Sequence, residues 1–171
     1  RIPLSNAQQR LWFLNRLDEG GGLYNSPLAL RLSGRVDADA LDAALRDLVT
    51  RHEALRTVFP DTDGEPRQLI LEPEDSSLTR RRVTEARLTT ELRRTAGEGF
   101  DLGTDRPLRA VLFELEDAAP EQVGGGHVLL IVLHHIAGDG SSLGPLLDDL
   151  AQAYTARLVG DAPDWAPQPL Q

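Results

Sequence analysis

The 171 residues carry 18 basic against 27 acidic side chains, a formal charge of −9, with 40% hydrophobic residues and neither cysteine nor methionine. The acidic balance speaks against a nucleic-acid binder, whose affinity rests on clustered basic groups, and the lack of cysteine removes disulfides, thiolate nucleophiles and cysteine zinc sites. No apolar run approaches the roughly 20 residues that span a bilayer, so the chain reads as one soluble, cytoplasmic domain with no membrane partner.

A chain that opens Arg1-Ile2-Pro3, without an initiator, reads as a piece of a longer protein. Ser5-Asn6-Ala7-Gln8 has the pattern of a capping box, which predicts a helix with Leu11, Leu14 and Leu17 on its apolar side, Trp12 and Phe13 beside them, ended by Gly20-Gly21-Gly22. Trp12 and Phe13 are expected in the core, because no basic groove accompanies them. From Tyr24 to Leu32 apolar and polar residues alternate through Leu28, Leu30 and Leu32, the period of a half-buried strand. Asp37 or Asp39 then caps a second helix, reaching about Glu53, with Leu41, Leu45, Leu48, Val49 and His52 at helical spacing.

Arg56 to Phe59 is β-like, and Asp61-Thr62-Asp63-Gly64 is turn chemistry leading to a partner strand over Arg67 to Leu71. A polar stretch from Glu72 to Ser77 leads to a short strand and a helix over about Thr89 to Gly97, with Arg80-Arg81-Arg82 read as a solvated edge. Pro107 to Glu116 reads as a strand, followed by a loop ending in Gly124-Gly125-Gly126. His127 to Leu133 is a continuous apolar run of strand length, the best candidate for a central strand buried on both faces. A last helix carries Leu143, Leu147, Leu150, Tyr154 and Leu158, with Pro145 in its first turn, and a Pro- and Asp-rich tail follows from Gly160. Strands and helices interleave without a strict βαβ rhythm and no glycine-rich phosphate loop follows a strand, so the fold class is α/β (α+β) but not a doubly wound nucleotide fold.

The chemistry concentrates where the buried strand ends, at His134-His135-Ile136-Ala137-Gly138-Asp139-Gly140. Successive strand residues face opposite ways, so one histidine is chemical and the other structural. A neutral imidazole held as a donor at one nitrogen can accept a proton at the other, which suits a general base near neutral pH. Asp139, just before a helix, is placed either to orient a histidine or to pair with an arginine. The divergence of His134 and His135, with no third ligand at suitable spacing, predicts no metal site. His127 and His52 read as structural, the latter at a helix end where a cation complements the dipole.

Three segments, Ser5 to Leu14, Arg51-His52-Glu53-Ala54-Leu55-Arg56-Thr57-Val58-Phe59 and His134 to Gly140, lie in the order and spacing of the condensation domain of nonribosomal peptide synthetases. The resemblance extends to Tyr24-Asn25 and Phe100-Asp101-Leu102 and covers essentially the whole chain.

That resemblance implies a lobe like chloramphenicol acetyltransferase, a mixed sheet with helices packed on it. Residues 1–160 would be the N-terminal lobe and 161–171 the start of the crossover to a C-terminal lobe. The implied reaction is attack by the amino group of an acceptor aminoacyl thioester on a donor thioester, with both substrates carried on the 4′-phosphopantetheine of carrier domains and no cofactor bound by this chain. The implied partners are the donor and acceptor peptidyl carrier domains, the C-terminal lobe and the adenylation domain of the same synthetase, in antibiotic or other secondary metabolism. The implied catalytic residue is His135, with His134 and Asp139 in support, Arg56 as the ion-pair partner of Asp139, and Gly140 marking a tight turn whose amide faces a developing oxyanion. The Pro3 to Gln9 start resembles the subtype that takes an L-configured donor. Position 141 is Ser where the family has Trp or Val, and Gly138 replaces a commoner Ser. Two rival readings are an ester-forming acyltransferase with the same histidine motif and a non-catalytic carrier-docking fragment. The isolated chain is expected to be inactive without a second lobe.

Overall fold

The computed structural model describes residues 2–18, 21–73, 77–118 and 126–166. Gly20, Gly124 and Gly125 of the two glycine runs and positions 167–171 of the tail lie outside the described residues.

The first strand, β1 (Ile2–Pro3), leads into α1 (Asn6–Leu17), and the capping box forms as the sequence predicts. The Ser5 hydroxyl accepts from the Gln8 amide at 3.2 Å, and the Ser5 amide donates to Gln8 Oε1 at 2.9 Å. The buried side of α1 differs from the expected one. Trp12 and Asn15 are the buried residues of the helix, whereas Phe13 and Leu17 are 57% and 64% exposed. Trp12 wins the inward position because its indole N–H donates 3.2 Å to the Phe59 carbonyl, and the helix is rolled accordingly.

The main sheet runs β2 (Asn25–Leu32), β8 (His127–His134), β7 (Leu108–Leu115), β6 (Leu78–Val83). β8 pairs antiparallel with both β2 and β7, and β6 is parallel to β7, so the sheet is mixed as expected. The parallel pair is joined by α3 (Glu85–Gly97), which starts four residues before the sequence-based Thr89. Arg80, Arg81 and Arg82 lie within β6 on the sheet's edge and are used locally: Arg80 pairs with Asp39, Arg81 donates to Thr95 Oγ1, and Arg82 pairs with Glu114.

Helices cover both faces. Alternate β8 residues Val128, Leu130 and Val132 pack with Trp12, Leu88, Phe59 and Phe100, while Leu129, Ile131 and Leu133 pack with α2 (Ala38–Arg51) and α4 (Leu143–Leu158). This double burial explains the unbroken apolar run in the sequence. Asp37 caps α2 by accepting from the Asp39 and Ala40 amides, and Leu41, Ala44, Leu45, Leu48 and Val49 form its buried stripe. α4 buries Leu150 and Ala153, but Leu158 is 51% exposed at its end, contrary to expectation.

A second, smaller sheet lies beside the first: β5 (Glu65–Ile70) pairs with β1, β3 (Thr57–Val58) and β4 (Asp61–Thr62), all antiparallel. Its hairpin turns at Asp63 and Gly64, with φ of 57° and 81°, the positive pair that a tight two-residue hairpin requires. The tail folds back: the Arg51 guanidinium stacks 4.8 Å from the Trp165 ring and donates to the Ala166 carbonyl.

Candidate functional site

β8 carries the two histidines to the end of the sheet and separates them. His134, the last strand residue, is 1% exposed, whereas the ring of His135 is exposed. The alternation of the strand leaves one imidazole buried and the other accessible.

His134 is enclosed by Phe100, edge-on at 5.9 Å between ring centres, and by Tyr24 at 6.4 Å. Its Nδ1 accepts the Ile136 amide at 3.1 Å, and its Nε2 faces the side-chain amide of Asn15 at 3.4 Å. Burial pushes its pKa down to about 4, with the neighbouring His135 adding to the shift, so the ring is neutral at physiological pH. The ring is thus neutral and enclosed, with one nitrogen taken by the backbone.

The turn after β8 is pinned by three bonds. The His135 amide donates to the Tyr24 carbonyl at 2.9 Å, the Ile136 amide to His134 Nδ1, and the Ala137 amide to the His134 carbonyl at 3.0 Å. These fix the backbone of His135 while leaving its ring free, and among the described residues no side chain hydrogen-bonds to it. A fixed backbone with an open imidazole is what a proton-accepting or substrate-positioning group requires.

Asp139 does not meet Arg56, so the expected ion pair is corrected. Asp139 Oδ1 accepts from the amides of Ser141 and Ser142 at 3.0 and 3.1 Å and from their hydroxyls at 2.5 and 3.0 Å. These bonds, the Ser141 hydroxyl foremost, hold its pKa below the usual carboxylate value. Local donors within three residues satisfy the carboxylate without immobilising a long side chain. Arg56 instead donates to the Leu71 carbonyl at 2.6 Å and reaches Glu53 at 3.4 Å, which locks the 3₁₀ turn Glu53–Arg56 to the end of β5. Gly140 is also not the crowded glycine of the loop. A Cβ there meets nothing within 4 Å and its φ is not in the left-handed region, whereas a Cβ on Gly138 falls 3.0 Å from Ser142 and 3.1 Å from Leu133.

Asn15 escaped the sequence reading, although it sits four residues after Leu11 and three after Trp12, on the stripe those two define. Arg109 was missed as well. It stacks 4.4 Å from the Phe100 ring and donates to the carbonyls of Thr95, Glu98 and Gly99 at the end of α3, fixing the ring that packs on His134. Asn25, opposite His134 in the β2–β8 register, reaches the Ala96 and Glu98 carbonyls at the same helix end. The Nδ1 of His127, at the start of β8, is buried with no hydrogen-bond partner among the described residues. Among the described residues no group of three or more His, Asp or Glu is placed to hold a metal ion, and no helix is long and apolar enough to cross a membrane.

Residues 1–169 match the family of condensation domains. The chain is 44% identical over 173 residues to a dimodular nonribosomal peptide synthase of Bacillus subtilis, of which it spans 7%. Among solved structures it is similar to the X-domain from teicoplanin biosynthesis in complex with OxyB, with a TM-score of 0.89 and 41% identity over 100% of this chain and 36% of that one. It is also similar to the first condensation domain of the calcium-dependent antibiotic synthetase in complex with a substrate analogue, with a TM-score of 0.79 and 26% identity over 97% of this chain and 40% of that one.

Proposed function

The chain belongs to the condensation-domain family of nonribosomal peptide synthetases, and from that premise we propose that it is the N-terminal, histidine-bearing lobe of an amide-forming condensation domain. The observation that carries the reading is the accessible ring of His135 on a backbone held by Tyr24 and His134. In the proposed reaction the acceptor's α-amino nitrogen attacks the donor thioester carbonyl, a C–N bond forms, the C–S bond breaks, and the departing sulfur takes up a proton. A free α-amino group has a pKa of about 7.7–8.0, so part of it is already neutral at cell pH. His135 then serves to orient the amine and to accept its surplus proton after attack, which the leaving thiolate recovers. Bringing two tethered thioesters together supplies much of the remaining acceleration.

The reading includes donor and acceptor carrier domains as the partners that deliver substrates on 4′-phosphopantetheine, an L-configured donor, and residues 161–171 as the beginning of a crossover to a second lobe. The small share of its relatives and neighbours that the chain spans supports the multidomain setting. The test is His135→Ala in a complete domain carrying this chain: amide formation between loaded carriers falls at least a hundredfold, and wild-type rates would exclude the role. An L- and a D-aminoacyl donor compared in the same assay decide the donor preference. A second reading, a domain that serves to bind another protein, is favoured by the 41% identity to an X-domain solved with OxyB. It predicts no amide product from the wild-type domain under any carrier loading.

A further inference from the structure

The geometry points to Asn15 as a positioning residue that fixes the tautomer of His134 and, through it, the turn that presents His135; the catalytic part of this inference rests on the function proposed above. The argument is one of donors and acceptors. A backbone N–H can only donate, so the 3.1 Å bond from the Ile136 amide requires a lone pair on His134 Nδ1. The enclosed ring is neutral, so its one proton is on Nε2. Nε2–H faces the Nδ2 end of the Asn15 side-chain amide at 3.4 Å. Two donors facing each other repel, and the two ends of an amide are exchanged by a half-turn about the last bond. Asn15 therefore presents Oδ1 to His134. Its Nδ2 then has room for solvent, because Asn15 also lines a cavity of about 240 Å³ with Trp12, Arg16 and Asp101.

Both partners are buried, Asn15 to 8% and His134 to 1% exposure, so neither nitrogen can trade its protein partner for water at no cost. Reversing the tautomer would set Nδ1–H against the Ile136 N–H and break one of the bonds that hold residues 135–137. Asn15 on α1, Nε2–H, Nδ1 and the Ile136 amide thus form one directional chain from the helix that carries the first sequence motif to the third motif. This gives the polar residue on the buried face of α1 a task that core packing does not.

The test is long-range ¹H–¹⁵N correlation of the histidine rings in this chain, wild type and with Asn15→Leu and Asn15→Asp. The wild type is expected to show His134 only as the Nε2–H form at pH 7. Asn15→Leu is expected to speed hydrogen exchange of the Ile136 and Ala137 amides at least tenfold relative to Leu130 and Val132, and Asn15→Asp, which keeps an acceptor, to restore protection. An Nδ1–H tautomer in the wild type, or a Leu variant that unfolds or exchanges uniformly while Asp fails to rescue it, overturns the proposal. In a complete domain, Asn15→Leu lowers kcat with KM for the acceptor unchanged; a wild-type domain with no activity would sink the proposed function while the tautomer result still decides this one.

Discussion

His52 Nε2 lies 2.7 Å from Asp149 Oδ2, joining the end of α2 to the middle of α4. Arg51 Nε meets the same oxygen at 3.1 Å, and the three side chains are 13–18% exposed. The Arg-His pair of the second motif therefore ties together the two helices that cover one face of the sheet, more than a helix-end charge would do. Replacing Asp149 with Ala removes the acceptor that His52 and Arg51 share in a largely buried place, which costs about 1–3 kcal/mol. Urea unfolding of Asp149→Ala is expected to shift to a lower midpoint, with Asp149→Asn intermediate; an unchanged midpoint for the Ala variant would refute the tie.

Arg56 and Asp139 contact different partners, so they should act independently. Arg56→Ala loosens the Glu53–Arg56 turn from the Leu71 carbonyl, and Asp139→Ala frees Ser141 and Ser142 before α4. A double-mutant cycle in urea is expected to be additive, since coupling energies belong to residues that touch. A double variant no less stable than the worse single variant would restore the ion pair implied by the family resemblance.

His134 imposes a pH dependence with a definite sign. An unfolded histidine protonates near 6.5, whereas folded His134 stays neutral down to about 4. Between these values the unfolded chain binds more protons, so stability rises with pH and is lost as pH falls from 6.5 to 4, by roughly 3 kcal/mol in total. Above 6.5 both states are neutral and the slope vanishes. The carboxylates of Asp139, Glu85 and Glu91, held low by hydroxyl or arginine partners, lose their contributions as pH falls from their unfolded values of 3.8 and 4.5, so the two glutamates overlap the acid end of that window in variant and wild type alike. His134→Asn keeps a side-chain acceptor for the Ile136 amide and does not titrate, so its urea midpoint should be flatter from pH 6.5 to 4. Parallel curves for variant and wild type would assign the acid loss elsewhere.

His135 is open where His134 is closed, and the two should separate cleanly on substitution. With an exposed ring and no side-chain partner among the described residues, His135→Ala is expected to change stability by no more than about 0.5 kcal/mol. A large loss of stability would mean that the loss of amide formation in the same variant reports folding and not chemistry.

What the sequence made legible followed from single-period patterns. The run from His127 to Leu133 could be assigned to a central strand because residues of both parities are apolar, and that assignment separated His134 from His135 before any coordinates. Asp37, Ser5 and the Asp63-Gly64 turn were readable because their side chains or backbone act on neighbours within three residues. The misreadings share the opposite cause. Phe13 is turned outward because the expected core residue Trp12 is held inward by a carbonyl 47 residues away. The pairing of Asp139 was misjudged because a family pattern suggested a distant arginine where two adjacent serines, Ser141 and Ser142, already supply the donors. Asn15 looked like an ordinary polar helix residue, and only the arrival of β8 beside α1 gives it meaning.

The two glycines of the loop after β8 invert the expectation that Gly140 is the constrained one. A Cβ on Gly138 would stand 3.0 Å from the Cβ and Oγ of Ser142 and 3.1 Å from Leu133 Cδ2, and Leu133 is fully buried. Gly138→Ala therefore forces Ser142 away from Asp139 or shifts Leu133, an overpacking cost of about 1–3 kcal/mol. Gly140→Ala meets no atom within 4 Å and no backbone penalty, so its urea midpoint should match the wild type. If the midpoints fall in the reverse order, the steric account of the loop is wrong. On the proposed function, the open side of Gly140 is where a thioester would approach its amide. A Gly140→Ala domain that keeps its midpoint but loses amide formation would put the substrate there, and one that keeps both would leave Gly140 without a part in the reaction.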